Sequence, residues 1–427
     1  MSLQSGACLE VAIDQLGAQG DGLGRAEGEL IRVALALPGE RWRVRLAARR
    51  RGGWDAEPLT LLTPVERAQP FCGHYPACGG CRLQHLPPAA YRALKRRRVA
   101  DALARRGLHD AELLPVAAAP LGARRRLRLA WTRRGRRVVL GLRRRRSHEL
   151  VDLVECPVTA AALVAEIAPL RRLLAAMSEL GAAGEVLLSA TDAGIDLDLR
   201  PDGATRLPAM ARAALAEHAT ERDLARLCVG GEPIVVRRPP IIDLPGAPVV
   251  LPPMGFVQAT REGEQALCRA VVAATHRGDR VVDLFAGLGG LGRAALQAGA
   301  AAVHAVEADP AAVEALRAAP VASLTVERRD LARRPLTAAE LARFDLAILD
   351  PPRAGAPAQV AELARLGPPR IVYGSCDPES FARDAAQLVA AGYTLGPVEP
   401  IDQFVGAAEV ELVATLTRPA GPASRRA

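Results

Sequence analysis

"DRVVDLFAGLGGLGRAALQAG", residues 279–299, decides the fold. A short apolar β-branched run ends at Asp283-Leu284-Phe285, glycines 287, 289 and 290 turn the chain, and an alanine- and leucine-rich helical stretch follows. The same unit recurs downstream. "AVHAVEAD" reads as a strand and "PAAVEALRAAP" as a helix, "LTVERRD" and "FDLAILD" as strands, "AQVAELARLG" as a helix and "RIVYGSC" as a strand. Short buried strands alternating with helices predict a parallel, doubly wound α/β sheet, and ligands of such sheets sit beyond the carboxyl ends of the strands.

Acids cluster at those ends. Asp283 closes the first strand, Glu307 the second, Asp330 the third and Asp350, in "LDPPRAG", the fourth. A dinucleotide fingerprint would open the helix with G-x-G-x-x-G to seat a pyrophosphate. Here an acidic D-x-F-x-G-x-G stands instead, which suits a cationic amino-acid moiety. Glu307 is placed to take a ribose diol and Asp330 an adenine amino group. The ordered set is the pattern of an S-adenosylmethionine site. Asp309, before Pro310, reads as an ordinary helix N-cap.

The next strand delivers a thiol, in "IVYGSCDPES" (371–380). Asp350-Pro351-Pro352-Arg353 lacks the aromatic residue that would suggest methylation of an exocyclic amine. Uracil C5 is a poor nucleophile until a thiolate adds to C6, and a base must then remove the C5 proton. Cys376 is the candidate thiol. The last apolar run, "IDQFVGAAEVELVATL", offers Glu409 and Glu411, expected on one face of a strand. Asp350 is a candidate for reading uracil N3–H or for holding the cofactor.

Bulk properties point to a polyanionic partner. The net charge is +9, and it is one-sided: residues 1–160 hold 29 Lys+Arg against 15 Asp+Glu, the remainder 27 against 32. Runs such as "KRRR" (95–98), "RRRLR" (124–128) and "RRRR" (143–146) lie in the basic part. Aromatic residues make up only 3%, so RNA contact is expected to lean on arginine–phosphate pairs and to weaken with salt. No apolar run reaches membrane-spanning length, and the start has no signal-peptide pattern. A cytoplasmic monomer without membrane contact is expected, whose eight cysteines stay reduced.

Residues 8–62 alternate apolar and polar positions with glycines at the bends, as in a small β-barrel of the kind that often binds oligonucleotides. A cysteine-rich loop (72–81) and a helix (91–107, stopping at Gly107) follow. Hairpins are expected at Arg134-Gly135 and at Asp192-Ala193-Gly194, and a proline-rich stretch marks a domain edge near 250. Cys72, Cys78 and Cys81, in C-x5-C-x2-C spacing, offer thiolates that suit an iron–sulfur cluster or structural zinc. Cys8, Cys228 and Cys268 are read as packing residues.

Taken together, these motifs resemble the RNA uracil-C5 methyltransferases, over nearly the whole chain. The resemblance implies an OB-like TRAM barrel (1–62), bearing the "LPGE" of 37–40, and an α+β central domain (63–250) with a [4Fe-4S] cluster. It implies a class I, Rossmann-like S-adenosylmethionine-dependent methyltransferase domain in 251–427. By resemblance Cys156, in "VECPV", is the fourth cluster ligand and Cys376 falls on the family's "SCNP" nucleophile. The family's base, 35 residues further on, falls on Glu411. Cofactor contacts carry over to Gln258, Phe285, Gly290, Glu307, Asp330 and Asp350, and Phe256 is placed to pack on the target base. The cluster is expected to be structural. The implied partner is RNA, 23S rRNA before tRNA. RNA cytosine-C5 methylation and a non-catalytic RNA-binding role stay open as other readings. The chain departs from the family at Thr260 and Asp377, where asparagine is usual. It also departs at Gly290, at 405–407 ("VGA" for "PHT") and at Glu409, a position often held by histidine.

Overall fold

A computed structural model describes residues 3–203 and 207–419. The chain forms two compact units, one running up to Arg98 and including Gly406–Ala408, the other comprising Val99–Val405 and the residues from Glu409 on.

The first unit holds a six-stranded sheet in the order Cys8–Ala12, Arg41–Arg50, Gly53–Thr63, Glu29–Val33, Gly22–Ala26, Gln15–Leu16. Its alternating pattern buries Val11, Ile31, Val33, Val44, Leu46 and Trp54 on one side. At Gly24 a Cβ would lie 2.0 Å from the Ala12 carbonyl oxygen, so only glycine lets the first strand cross this closely and the sheet curl on itself. The "LPGE" turn has a physical reason. The Glu40 side chain is fully buried and accepts from Leu37 N (2.8 Å), Trp42 Nε1 (2.7 Å) and Arg67 Nε (2.9 Å). The cysteine loop 72–81 is a series of turns. It is held by Cys78 N to His74 O (2.9 Å) and packs on Gly406, where a Cβ would meet Cys81 Sγ at 3.1 Å.

Among its described residues the second unit contains two large sheets and a two-stranded one, Ile241–Ile242 with Val249–Val250. The first has seven strands, ordered Leu150–Asp152, Arg137–Arg143, Arg126–Arg134, Ala183–Thr191, Gly194–Pro201, Arg226–Val229, Glu232–Val236. Both expected hairpins form, with Gly135 at φ 60° and Gly194 at φ 122°. One period-2 set, including Leu127, Leu129, Trp131, Val186, Leu188, Leu197 and Leu199, is buried.

The other large sheet positions the site. Its strands are β1 (Arg280–Leu284), β2 (Ala302–Glu307), β3 (Leu324–Arg328), β4 (Leu346–Leu349), β5 (Arg370–Ser375), β6 (Thr394–Asp402) and β7 (Glu411–Thr417). Their order is β3-β2-β1-β4-β5-β7-β6, with Ala117–Ala118 added beside β6. The first five are parallel, as expected; β7 inserts antiparallel between β5 and β6. Helices α1 (Arg261–Ala274), α2 (Gly290–Gln297), α3 (Pro310–Ala318), α4 (Pro357–Leu366) and α5 (Pro378–Ala390) connect and flank the strands. The core fills with Val282, Leu284, Ile348, Leu349, Ile371, Tyr373, Leu412 and Leu416. Among the described residues no helix is long and apolar enough to cross a membrane.

The last apolar run differs from expectation. The chain leaves β6 at Asp402, loops through 403–410 and enters β7 only at Glu411. Glu409 therefore precedes the strand, and the two glutamates do not share a strand face. The glycine at 406 (φ 78°) and the small residues after it cannot sustain the ladder.

Candidate active site

Beyond β1 the chain takes a strained path. Phe285 sits at φ 64°, rare for a bulky side chain, and Gly289 (φ 77°) caps the start of α2. Asp283 does not face outward for a ligand. It is buried, accepts from Gly292 N (3.0 Å), and leaves no room for a Cβ at Gly292. Burial raises its pKa to about 7, against the pull of the Gly292 amide, with Asp350 and Glu307 adding repulsion. Gly290, in the first turn of α2, has only the Glu264 carboxylate and Leu244 at van der Waals distance, so any contact there is through backbone.

Glu307, ending β2, bends over the glycine loop. One carboxylate oxygen accepts from Gly287 N (2.8 Å), the other from Ala308 N (2.6 Å) and Asp309 N (2.8 Å). Asp330, after β3, accepts from Ala332 N (3.0 Å) and lines an open cavity with Ala308, Arg328, Arg329, Arg333 and Arg334. Asp309 caps α3, as expected.

The other cluster is built from side chains, with Glu411 and Gln403 buried and Asp350, Gln258 and Cys376 part-buried. Cys376 directly follows β5, while Asp350 follows β4, its Oδ1 over Gly374. Glu411 opens β7 and is 2% exposed. Gln258 donates to Asp350 Oδ2 (2.9 Å) and accepts from Gln403 Nε2 (3.1 Å), which also donates to Glu411 Oε2 (2.9 Å). Arg125, itself buried, fixes the Gln258 carbonyl (3.0 Å) and pairs with Glu264 (2.8 Å). The Arg353 loop is anchored by Asp384, which accepts from Ala356 N (2.8 Å) and from the Tyr373 hydroxyl (2.7 Å).

These groups perturb one another. Burial raises Glu411, with Asp350 adding repulsion; the Gln403 hydrogen bond and Arg353 pull it down. Asp350 is raised by burial against the Gln258 hydrogen bond, with Glu264 adding repulsion. The Cys376 thiol is pushed up to about 11 by burial, Glu411 and Asp350, with Arg353 opposing as charge and hydrogen-bond donor. Asp377 is not among these influences. Its carboxylate caps α5 by accepting from Ser380 N (2.9 Å). Thr260 caps α1 in the same way, accepting from Gly263 N (3.0 Å). Both departures from the family pattern are thus helix caps.

Two residues before Gln258, Phe256 is 61% exposed, with the Arg126 guanidinium 5.2 Å over its ring; Arg124 lies 5.9 Å over Phe404. Burial, then Arg128 and Arg124, push Arg126 down from its usual range. Gln403 and Arg125 were not singled out in the sequence. Gln403 carries no signal of its own, and Arg125 is masked inside an arginine run.

The cysteines carry no disulfide. Thr159 Oγ1 lies 3.3 Å from Cys156 Sγ, while Cys72, Cys78 and Cys81 are part-exposed in the turn-rich loop. No group of three or more His, Cys, Asp or Glu converges as a metal site among the described residues. Cys228 and Cys268 are pushed up to about 12, each chiefly by burial, as packing thiols are; Cys8, expected to pack, is exposed at the start of its edge strand.

Residues 266–373 match a family model described as "Conserved hypothetical protein 95". An uncharacterized RNA methyltransferase of Rhizobium meliloti is 41% identical, over 96% of this chain and 99% of that protein. The 23S rRNA (uracil(1939)-C(5))-methyltransferase RlmD of Pectobacterium atrosepticum is 31% identical, over 97% and 94%. In fold, the chain superposes on the tRNA (uracil-54, C5)-methyltransferase of Pyrococcus abyssi, solved with S-adenosyl-L-homocysteine. The TM-score is 0.72 at 23% identity, covering 96% of this chain and all of that one. With its strand-end acids, its clustered thiol and carboxylates and relatives matched end to end, the chain belongs to the S-adenosylmethionine-dependent RNA methyltransferases, in the family of the RNA uracil-C5 enzymes.

Proposed function

We propose that this enzyme methylates C5 of a uridine in 23S rRNA through a covalent Cys376–C6 adduct. The observation that carries the reading is one electrostatic cluster of a part-buried thiol after β5, a part-buried carboxylate after β4, the buried Glu411 at the start of β7 and the exposed Arg353 guanidinium of the loop after β4. S-adenosylmethionine, when bound, supplies the methyl group, with Gln258, Phe285, Gly290, Glu307, Asp330 and Asp350 as its proposed contacts. The Cys376 thiolate adds to C6, and the electron pair of the C5–C6 bond becomes available at C5. Once C5 carries the methyl, Glu411 takes the C5 proton, the double bond re-forms and the C6–S bond breaks, returning the thiolate. Arg353 favours the thiolate. Phe256 and Arg126 lie at the entrance, where an unstacked base would enter.

The RNA partner and a cytoplasmic location come with this reading, and 23S rRNA is preferred over tRNA because the relative at 31% identity is named for it. A [4Fe-4S] cluster remains part of the proposal on resemblance alone, thiolates such as Cys72, Cys78 and Cys81 being the donors such a cluster takes. It takes part in no step. Brown absorbance with iron and sulfide in an anaerobic preparation is expected; stoichiometric zinc without iron removes the cluster.

The test of the reaction is incubation of undermodified 23S rRNA and tRNA with labelled cofactor, followed by nucleoside analysis. 5-Methyluridine is expected in the rRNA, and Cys376→Ala is expected to abolish it. Undiminished product from that variant ends the adduct mechanism, 5-methylcytidine would assign the other pyrimidine, and no product on any RNA would favour a non-catalytic role.

A further inference from the structure

Gln403 lies just past the end of β6 and is 3% exposed. Its amide nitrogen serves two acceptors, Glu411 Oε2 at 2.9 Å and Gln258 Oε1 at 3.1 Å. Its amide oxygen is buried with no hydrogen-bond partner. That oxygen faces the first turn of α1, where a Cβ on Gly263 would stand 2.6 Å from it. A glycine in this turn leaves a slot just wide enough for the amide, and the slot offers the oxygen nothing to bond.

A buried acceptor without a donor is uncommon in a finished structure and calls for a reason. Here the reason lies in the neighbour. Glu411 must exist in two protonation states during a turnover, since it takes up the C5 proton and later releases it. As a carboxylate it needs a donor, which the Gln403 amide nitrogen supplies. As a carboxylic acid it becomes a donor and needs an acceptor. A half-turn of the amide about Cγ–Cδ exchanges nitrogen and oxygen and brings the unpartnered oxygen to the place the nitrogen held beside Glu411. The reversal gives up the hydrogen bond to Gln258 Oε1, since two acceptors would then face each other, while Asp350 and Arg125 hold Gln258 in place.

We propose that Gln403 is a positioning residue whose amide reverses during turnover, donating to the Glu411 carboxylate before proton abstraction and accepting from the carboxylic acid after it. The inference rests on the reading of Glu411 as the base. The groups facing Glu411 besides Gln403 are Asp350, Arg353 and Cys376, contributed by the ends of β4 and β5 and the loop between. Of Gln403 and these groups, only the Gln403 amide is both a neutral donor and a neutral acceptor.

The test uses the full-length enzyme, undermodified rRNA and the same RNA deuterated at uridine C5. Gln403→Leu should lower kcat at least tenfold, move the pH midpoint of kcat/KM upward and enlarge the C5 deuterium isotope effect. Its affinity for S-adenosylhomocysteine should stay within twofold. Gly263→Ala keeps every polar group and favours the helix, yet its methyl displaces the amide; it should lower kcat and enlarge the isotope effect in the same direction. That second variant guards against misfolding of the first. If neither variant changes kcat, midpoint or isotope effect while Glu411→Gln is inactive, the amide reversal is wrong and the base assignment stands. If Glu411→Gln turns over normally, the base assignment fails and takes the inference with it.

Discussion

Two groups of acids line one edge of the same sheet, and they are held in opposite ways. Glu307 is part-exposed and Asp330 exposed, and both accept from backbone amides a few residues away or from the adjoining glycine loop. Asp350 is part-buried and Glu411 buried; they lie 61 residues apart in sequence and are bridged by two side-chain amides from two further segments. The first arrangement suits binding, because carboxylates held by backbone amides at the surface keep lone pairs free for a ligand. The second suits proton transfer, because burial and mutual repulsion disfavour charge on both, leaving a carboxyl poised to change state.

That difference also explains what the sequence reveals. Strand-end acids are local features, and periodicity alone placed Glu307, Asp330, Asp350 and Cys376 at carboxyl ends of parallel strands, where the structure has them. The last apolar run offered Glu409 and Glu411 alike, and only resemblance chose Glu411; the single strand expected for both does not form, because Gly406 and its small neighbours break the ladder. The Gln258–Gln403 bridge was not legible at all. Its partners come from four segments, and no spacing rule relates them. Asp283 misled for a related reason. An acid at a strand end looks the same in sequence whether it faces a ligand or, as here, the first turn of α2.

The sharpest break between the groups is Glu411→Gln. It should lower the rate of 5-methyluridine formation by about two to four orders of magnitude. The covalent RNA adduct should accumulate, since addition of Cys376 does not require the base, and denaturing gels of enzyme mixed with RNA would show it. A variant with normal turnover would move the base elsewhere.

The pH dependence comes next in size. Cys376 and Glu411 both react as deprotonated groups, and both have raised pKa values. The rate constant kcat/KM should therefore climb with pH through neutrality and into the alkaline range, by about tenfold per unit where one group limits. Stability should run the other way. For Asp283, Asp350 and Glu411 the folded pKa lies above the unfolded one, so their contribution is complete below about pH 4. It is lost as pH rises through the folded values, about 7 for Asp283. Thermal melts against pH, with and without Asp283→Asn, check this. The variant should flatten the decline between pH 5 and 8.

On the binding side, Glu307→Ala should weaken S-adenosylmethionine affinity by about tenfold, the loss of one or two charge-assisted hydrogen bonds. The value of kcat at saturating cofactor should change little, and calorimetry beside steady-state kinetics would separate the two. A large loss of kcat would mean that the glycine loop and the chemistry are not separable.

The smallest effect is the most discriminating, because Asp377 adjoins the nucleophile yet belongs structurally with the backbone-bonded acids. Its carboxylate caps α5 through Ser380 N, and the charges that act on the thiol come from Glu411, Asp350 and Arg353 instead. Asparagine caps a helix about as well as aspartate, whereas alanine costs about 1 kcal/mol. Asp377→Asn should therefore leave the melting temperature and the rate almost unchanged, and Asp377→Ala should lower the melting temperature with the rate within about twofold. A tenfold faster Asp377→Asn enzyme would show that this carboxylate restrains the thiolate after all. Sequence adjacency would then have been the better guide than the direction in which the side chain is held.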